Sequence, residues 1–209
     1  MKRIILAVVA FLALPAVAGG MDALENFIRG AKNGHSEFTQ VVTAPARQGQ
    51  AARTRTSSGT FDFERPNRFR FTYRKPFEQQ IVADGDTLWF YDQDLNQVTA
   101  RKQAKVLGST PAALIAASPD LEALKRDFEL QQLPEGDGLQ WVQATPKTKE
   151  GQLHSLKAGF RGDQLAVLEI NDGFGQRSVL TFTGMQVNAG VAAGTFRFTP
   201  PKGVDVLRQ

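Results

Sequence analysis

Alternating apolar and polar positions dominate this chain and predict a mostly β protein. Residues 61–73 show the pattern most strongly, because aromatic side chains recur at every second position on both sides of Arg65-Pro66-Asn67. A period of two is typical of a strand with one apolar and one solvent-facing side, and Pro and Asn favour a turn between two strands. The segment therefore predicts a hairpin over residues 56–74 that presents five rings on one face. These rings are Phe61, Phe63, Phe69, Phe71 and Tyr73.

The same alternation predicts strands along most of the remaining chain. Short turns rich in Gly and Asp separate them, so consecutive strands should pair antiparallel, and a sheet of ten or eleven strands is expected to curl. We therefore predict a mainly β fold with helices, in which a single curved antiparallel sheet forms an incomplete β-barrel. Residues 88–91 are apolar on both faces, which indicates a strand covered on both sides. The further predicted strands are 37–43, 79–83, 87–91, 97–102, 127–133, 139–144, 153–160, 164–171, 177–183 and 195–199.

Helical spacing occurs at the start of the chain and near its middle. Leu24, Phe27 and Ile28 predict an amphipathic helix over residues 21–33 that ends at Gly34. Thr110-Pro111 and Ser118-Pro119 each place a hydroxyl N-cap before a proline at the first helical position. These pairs predict two short helices that depend on packing for their stability, and we expect them to form a lid over the concave face of the sheet.

The first 18 residues have the form of a secretory signal peptide. A basic start is followed by an apolar run over residues 4–14 and by Pro15-Ala16-Val17-Ala18. A membrane anchor is the alternative, but a span needs about 20 apolar residues. We expect cleavage after Ala18, which leaves residues 19–209 as one domain. Loss of Lys2 and Arg3 lowers the formal net charge from +4 to +2, which argues against nucleic-acid binding.

The absence of cysteine also bears on localisation. An exported protein without cysteine has no disulfide and must be stabilised by packing. A bacterial lipoprotein carries its acyl chains on a cysteine directly after the signal peptide, where this chain has Gly19. We therefore expect a soluble periplasmic protein.

Residue patterns for catalysis are weak. His35 and His154 are the only histidines, and neither a nucleophile elbow nor a zinc-binding helix motif occurs. Gly173-Phe174-Gly175 precedes a strand instead of a helix, which favours a hairpin turn over a phosphate-binding loop. We predict that the protein is not an enzyme and that it uses no cofactor or metal.

Two groups of side chains leave a choice between structural and functional interpretations. The five rings fit a binding surface or an ordinary core, and periodicity alone favours the core. Arg65 falls on the aromatic side of the hairpin, where its guanidinium would need acceptors such as helix-end carbonyls; the alternative is a solvated turn residue. Arg47, Arg53 and Arg55 fit a solvated loop, or a contact with an anionic membrane or an acidic partner.

Five short motifs in register resemble the periplasmic lipoprotein carrier family, LolA, over about residues 24–206. Any one motif is weak, but five in one order are specific. One departure is Arg68, where the family has an apolar residue, and this leaves the contacts at that position open. The motifs are SEFTQ (36–40), RPNRF (65–69), DGDTLWFYD (84–92), TPAALIA (110–116) and FRFTPPKGV (196–204).

The resemblance implies a periplasmic chaperone that binds the acyl chains of lipoproteins. Members accept this cargo from an ATP-driven (ABC-type) transporter of the inner membrane and deliver it to a receptor lipoprotein at the outer membrane. It also implies that Arg65 holds the lid closed through lid backbone carbonyls. The implied lid includes Leu114, Ile115 and Ala116. The implied acyl-chain cavity is lined by Phe61, Phe63, Phe69, Phe71, Tyr73, Leu88, Phe90, Leu114, Ile115 and Phe182.

Three rival functions are weighed against this expectation. The outer-membrane receptor of the same pathway shares the fold but would carry an acylated cysteine, which this chain lacks. A generic periplasmic binder of lipids or apolar peptides is the main alternative, and a lipid hydrolase is the third.

Overall fold

The computed structural model describes residues 19–46, 51–106, 118–148 and 153–209. These residues form three helices and twelve strands, and all twelve strands belong to one sheet. The elements in chain order are α1 (Gly20–Gly30), β1 (Asn33–Ala44), β2 (Arg53–Glu64), β3 (Arg68–Lys75), β4 (Gln79–Ala83), β5 (Thr87–Asp92), β6 (Gln97–Lys102), α2 (Gln103–Val106), α3 (Leu121–Asp127), β7 (Phe128–Gly136), β8 (Leu139–Pro146), β9 (Leu153–Arg161), β10 (Gln164–Asp172), β11 (Arg177–Val187) and β12 (Asp205–Arg208).

The sheet is open and curved and confirms the predicted fold class. Its strand order is β12-β6-β5-β4-β3-β2-β1-β11-β10-β9-β8-β7. Each pair is antiparallel except β12 with β6, which is parallel, so the expectation of a purely antiparallel sheet is wrong at that edge. The β1–β11 pair joins the two halves of the chain, while β7 and β12 remain at opposite edges, so the barrel does not close.

The register of β2 and β3 confirms that the five rings share a face. Phe61 lies opposite Phe71, and Phe63 lies opposite Phe69, on either side of the turn at 65–67. Directly opposed residues of an antiparallel pair point to the same side of the sheet. The ring centroids of Phe61 and Phe71 are 4.4 Å apart in a stacked arrangement.

Helix α1 packs its apolar stripe onto this same face of the sheet. Leu24, Phe27 and Ile28 are buried, and the helix contacts strands β7 to β10. The ring of Phe27 lies 5.8 Å from that of Phe63 and 5.9 Å from that of Phe160. One core therefore extends from the aromatic hairpin to the far half of the sheet.

The C-terminal segment covers the other face of the sheet. The ring of Phe198 lies 5.4 Å from Trp89 and 5.9 Å from Tyr91, which covers one side of β5. On the other side Leu88 packs against the core but Phe90 is 38% exposed, so the prediction of a strand covered on both sides is confirmed only in part. The prediction of a strand over 195–199 is wrong, since these residues form a turn and irregular structure. The alternation there arises from rings packed on the sheet, and the last strand is β12 instead.

Two predicted helix boundaries are also wrong. Helix α1 ends at Gly30, and Gly34 lies within β1, where a Cβ would come within 2.4 Å of the Phe63 ring. Ser118 is not the N-cap of α3, because the Asp120 carboxylate accepts a hydrogen bond from the backbone N–H of Ala123 at 2.7 Å. The predicted helix at 110–117 and the predicted signal peptide at 1–18 lie outside the described residues.

Candidate functional site

Arg65 connects two distant parts of the chain at one end of the sheet. The preceding strand brings it to the β2–β3 turn, where its backbone N–H donates to the carbonyl of Lys32 at 2.8 Å. Its Nε donates to the carbonyl of Ala31, directly after α1, at 2.8 Å. Its Nη1 donates to the carbonyl of Ser118, just before α3. The side chain therefore joins α1 to the segment that leads into α3.

The surroundings of Arg65 are largely apolar. The guanidinium carbon lies 5.3 Å from the ring centre of Phe27 and 5.5 Å from that of Phe63, within cation–π range. Burial lowers the pKa of Arg65 to about 10, because desolvation disfavours the charged form. The group remains cationic at neutral pH, and the carbonyl acceptors offset its loss of water.

The predicted cavity residues of the hairpin are part of a filled core. Phe61, Phe63 and Phe69 have no exposed area, and Phe71 is 2% exposed. Tyr73 is partly buried and packs against the same cluster. The structure brings these five residues together as a wall whose face is occupied by other protein side chains.

The remaining predicted cavity residues have four different placements. Phe182 belongs to the core, with its ring 5.5 Å from that of Phe61. Leu88 packs at the margin of the core, whereas Phe90 is 38% exposed. Leu114 and Ile115 lie outside the described residues, as does Ala116.

Gln103 supports the turn that carries Arg65, although nothing in the sequence singles it out. Its side chain is buried, and its Nε2 donates to the carbonyl of Asn67 at 2.6 Å. Its Oε1 accepts from the backbone N–H of Gly85 at 3.1 Å. The first residue of α2 is thus fixed to both the β2–β3 turn and the β4–β5 turn. Only tertiary structure reveals this role.

A cleft of about 410 Å³ opens between α1 and α3, next to the two acceptors of Arg65. Lys32 and Pro119 line it and directly follow Ala31 and Ser118 in the chain. Ile28 and Leu121 give the cleft an apolar surface, bordered by charged side chains of both helices.

Arg68 does not contribute to this face of the hairpin. It pairs with Glu64 at 2.9 Å, and its guanidinium lies 5.8 Å from the centre of the Phe196 ring on the opposite side of the sheet. The Arg68 side chain therefore lies on the face of the hairpin opposite to Arg65.

The described ranges contain little that suggests other chemistry. His35 is exposed, with its Nδ1 2.7 Å from a carboxylate oxygen of Asp62, and His154 is also exposed. Within these ranges, no group of three or more metal-binding side chains could hold an ion. No helix in the described part of the chain is long and apolar enough to cross a membrane.

Comparison with known proteins identifies related sequences. The family model for the outer membrane lipoprotein carrier protein LolA matches residues 29–199. The chain is 63% identical over 198 residues to an outer-membrane lipoprotein carrier protein of Albidiferax ferrireducens, with 93% of each chain covered. It is 50% identical over 207 residues to a protein of the same name from Methylibium petroleiphilum, with 99% of this chain and 98% of the other covered.

A solved structure of low sequence similarity shares the fold. An uncharacterized conserved protein from Thermus thermophilus matches with a TM-score of 0.52 and 11% identity, covering 91% of this chain and 97% of the other. At this identity the likeness concerns the fold alone.

Proposed function

The chain belongs to the outer membrane lipoprotein carrier family, LolA, and we propose that it is a periplasmic carrier that binds the acyl chains of lipoproteins. Full-length similarity to relatives that bear this name is the observation that carries the proposal. The aromatic wall behind Arg65 is the surface best suited to acyl chains. The role is binding and release, and it requires no catalytic group.

The cargo route includes two partners and an export step. We propose that an ABC-type transporter of the inner membrane supplies the lipoprotein and that a receptor lipoprotein at the outer membrane accepts it. Residues 1–18 would direct export and be removed after Ala18, which leaves residues 19–209 as the carrier domain. Gly19 in place of an acylated cysteine distinguishes the carrier from its acceptor.

Cargo binding requires the protein to open, because the wall is already covered. The rings of Phe61, Phe63 and Phe69 have no exposed surface that an acyl chain could contact. The bond from Arg65 to the Ser118 carbonyl lies where the segment before α3 meets α1. We propose that breaking this bond opens the cleft between α1 and α3 towards the wall, and that Arg65 acts as the latch of the empty state.

Energetics favour such competition between cargo and closure. Burial of acyl chains yields roughly 0.8 kcal/mol per methylene, so two or three long chains fully buried would reach tens of kcal/mol. Few non-covalent complexes exceed about 20 kcal/mol, and so tight a ligand would not be released. Partial burial combined with the cost of opening keeps the cargo transferable.

A variant of the latch tests the mechanism. Hydrogen bonds from a charged donor contribute roughly 1.5–3 kcal/mol each, so Arg65→Leu should make opening at least tenfold easier. In an assay with spheroplasts and isolated acceptor, this variant should still take up newly made lipoproteins but discharge them poorly. Arg161→Leu removes an exposed arginine at the end of β9 and should transfer normally.

Two results would count against these proposals. Normal discharge by Arg65→Leu would contradict the latch while leaving the carrier function intact. If the unaltered protein released no lipoprotein but extracted free phospholipid, it would instead be a generic lipid-binding protein.

A further inference from the structure

Exposed apolar side chains concentrate at the end of the sheet opposite Arg65. Phe77 is 48% exposed in the β3–β4 turn, Leu95 is 70% exposed in the β5–β6 turn, and Phe174 is 72% exposed in the β10–β11 turn. All three turns lie at the same end, because β3, β5 and β10 run away from the Arg65 turn. They account for three of the five large exposed apolar residues in the described ranges.

Contacts between neighbouring loops join these turns into one surface. The backbone N–H of Gln93 donates to the carbonyl of Glu78 at 3.3 Å, which links the Leu95 and Phe77 turns. The Arg55 guanidinium lies 5.5 Å from the centre of the Phe77 ring, which links that turn to β2. We call this surface the distal rim, and its described residues are 45–46, 51–55, 74–79, 92–97 and 172–177.

The far side of the distal rim includes the Phe174 turn. A Cβ on Gly175 would lie 3.7 Å from Pro45, so this turn contacts the end of β1. The Asp172 carboxylate accepts hydrogen bonds from the backbone N–H groups of Phe174 and Gln176 at 2.9 and 2.8 Å. These backbone hydrogen bonds hold the turn in shape without any contribution from the Phe174 ring, which is largely exposed. The packing of the folded protein therefore gives no reason for a phenylalanine at this position.

Cations accompany the exposed rings. Arg53, Arg55, Arg74 and Lys75 are all exposed on adjacent ends of β2 and β3. Two exposed acidic residues lie in the adjoining turns, Glu78 between β3 and β4 and Asp94 beside Leu95 between β5 and β6. The four cations at the ends of β2 and β3 outnumber them. An apolar tip next to several cations is the combination that proteins use at anionic membrane surfaces.

We propose that the distal rim docks reversibly on anionic phospholipid bilayers. Phe77, Leu95 and Phe174 project from separate turns and would enter the headgroup region, while Arg53, Arg74 and Lys75 contact phosphate groups. Each cation near such a surface contributes roughly a fivefold gain in affinity, so the binding is weak and sensitive to salt. This orientation directs the Arg65 end and its cleft away from the bilayer.

Vesicle binding tests the proposal without any cargo. Cargo-free protein should cosediment with vesicles of phosphatidylcholine and phosphatidylglycerol, and less with phosphatidylcholine alone, and added salt should release it. Replacing Arg74 and Lys75 together by Gln should weaken the binding on the order of 25-fold. Phe174→Ser should weaken it roughly tenfold, because a phenylalanine loses its apolar burial.

The chain offers a closely matched control for each change. Arg101 and Lys102 form the same dipeptide, also exposed, at the opposite end of the sheet, and their replacement by Gln should leave vesicle binding unchanged. Leu207 is 47% exposed on β12, and Leu207→Ser should likewise have no effect.

Three outcomes would overturn membrane docking. The first is that the protein does not bind anionic vesicles. The second is that the rim variants and the control variants lose vesicle binding equally. The third is that the rim variants bind vesicles normally and are impaired only in transfer to the protein acceptor. The last result would identify the rim as a protein-docking surface. Lipoprotein release from spheroplasts is measured separately, so failure of the carrier proposal can be distinguished from failure of this one.

Discussion

At the scale of single residues, the buried polar groups of this protein act in pairs or short chains. Arg65 is stabilised in apolar surroundings because backbone carbonyls on two separate segments accept hydrogen bonds from its guanidinium N–H groups. Tyr73 follows the same rule on the same face of the hairpin, towards the end of β3. Its hydroxyl donates to Gln40 Oε1 at 2.9 Å, and Gln40 Nε2 donates to Ser178 Oγ at 2.7 Å.

The Tyr73 hydroxyl gives a prediction about alkaline stability. Burial raises the pKa of Tyr73 from 10.0 to about 12, so above pH 10 the unfolded chain loses this proton before the folded protein does. The stabilisation is complete below pH 10 and is lost between pH 10 and about 12, with a total on the order of 2–3 kcal/mol. The lowered pKa of Arg65 acts in the opposite direction above about pH 10, because the folded protein then loses the guanidinium proton before the unfolded chain does. Urea unfolding at several pH values should therefore show the Tyr73 contribution as the difference between the unaltered protein and Tyr73→Phe.

Tyr73→Phe provides the test of that assignment. The variant should be less stable at pH 7, by roughly 1 kcal/mol, because Gln40 loses a hydrogen-bond donor. It should also lose stability more slowly than the unaltered protein between pH 10 and 12. Parallel curves for the two proteins over that range would contradict the role of Tyr73.

At the scale of helices and strands, two nearby glycines differ in whether the structure has room for a larger side chain. Gly34 lies in β1 with its Cα against the ring of Phe63, where a Cβ would come within 2.4 Å. Gly30 ends α1, and a Cβ there would have no neighbour within 4 Å. Gly34→Ala should therefore destabilise the protein by roughly 1–3 kcal/mol through overpacking, whereas Gly30→Ala should be neutral or stabilising by up to about 1 kcal/mol.

Thermal unfolding of both variants measures the difference. Near-ultraviolet circular dichroism should also change in Gly34→Ala, because the Phe63 ring must move, and it should remain the same in Gly30→Ala. Equal stability of the two variants would show that the Phe63 ring gives way at no cost.

Local pattern was sufficient to predict most of the strands. β4 and β6 have the predicted bounds, and the aromatic hairpin differs only at its ends, because alternation, turn residues and burial agree there. Residues 195–199 also alternate, but they cross the outer face of the sheet instead of pairing. β12 pairs in parallel with a strand about a hundred residues earlier, and no local signal indicates such a partner.

The candidate site was predictable to a similar extent. Alternation placed Arg65 on the aromatic side of the hairpin, and the cost of burial required carbonyl acceptors. The identity of the second acceptor could not be predicted, because Ser118 is 53 residues away in the chain. Whether the rings formed a wall or a core also depends on α1 covering them, which periodicity does not reveal.

At the scale of the whole molecule, the sheet is held more firmly than the segment that contains Ser118 and α3. Strand β1 pairs with β2 over its full length and with β11 from Gly34 to Thr43, so the centre of the sheet is continuous. Helix α3 has seven residues, of which only Leu124 is buried. Opening should therefore occur at the segment that contains Ser118 and α3, while the sheet remains intact.

Amide hydrogen exchange on the empty and loaded carrier tests this division. Because the aromatic wall is covered before cargo enters, loading should increase exchange in residues 118–127 and near Ala31, where the Arg65 contacts break. Strands β1, β2 and β11 should keep their protection, since acyl chains contact their side chains and leave their backbone pairing unchanged. Arg65→Leu without cargo should show the same local increase, with Arg161→Leu as the unaffected control. Loss of protection in the central strands on loading would instead mean that the sheet itself separates to admit the lipid.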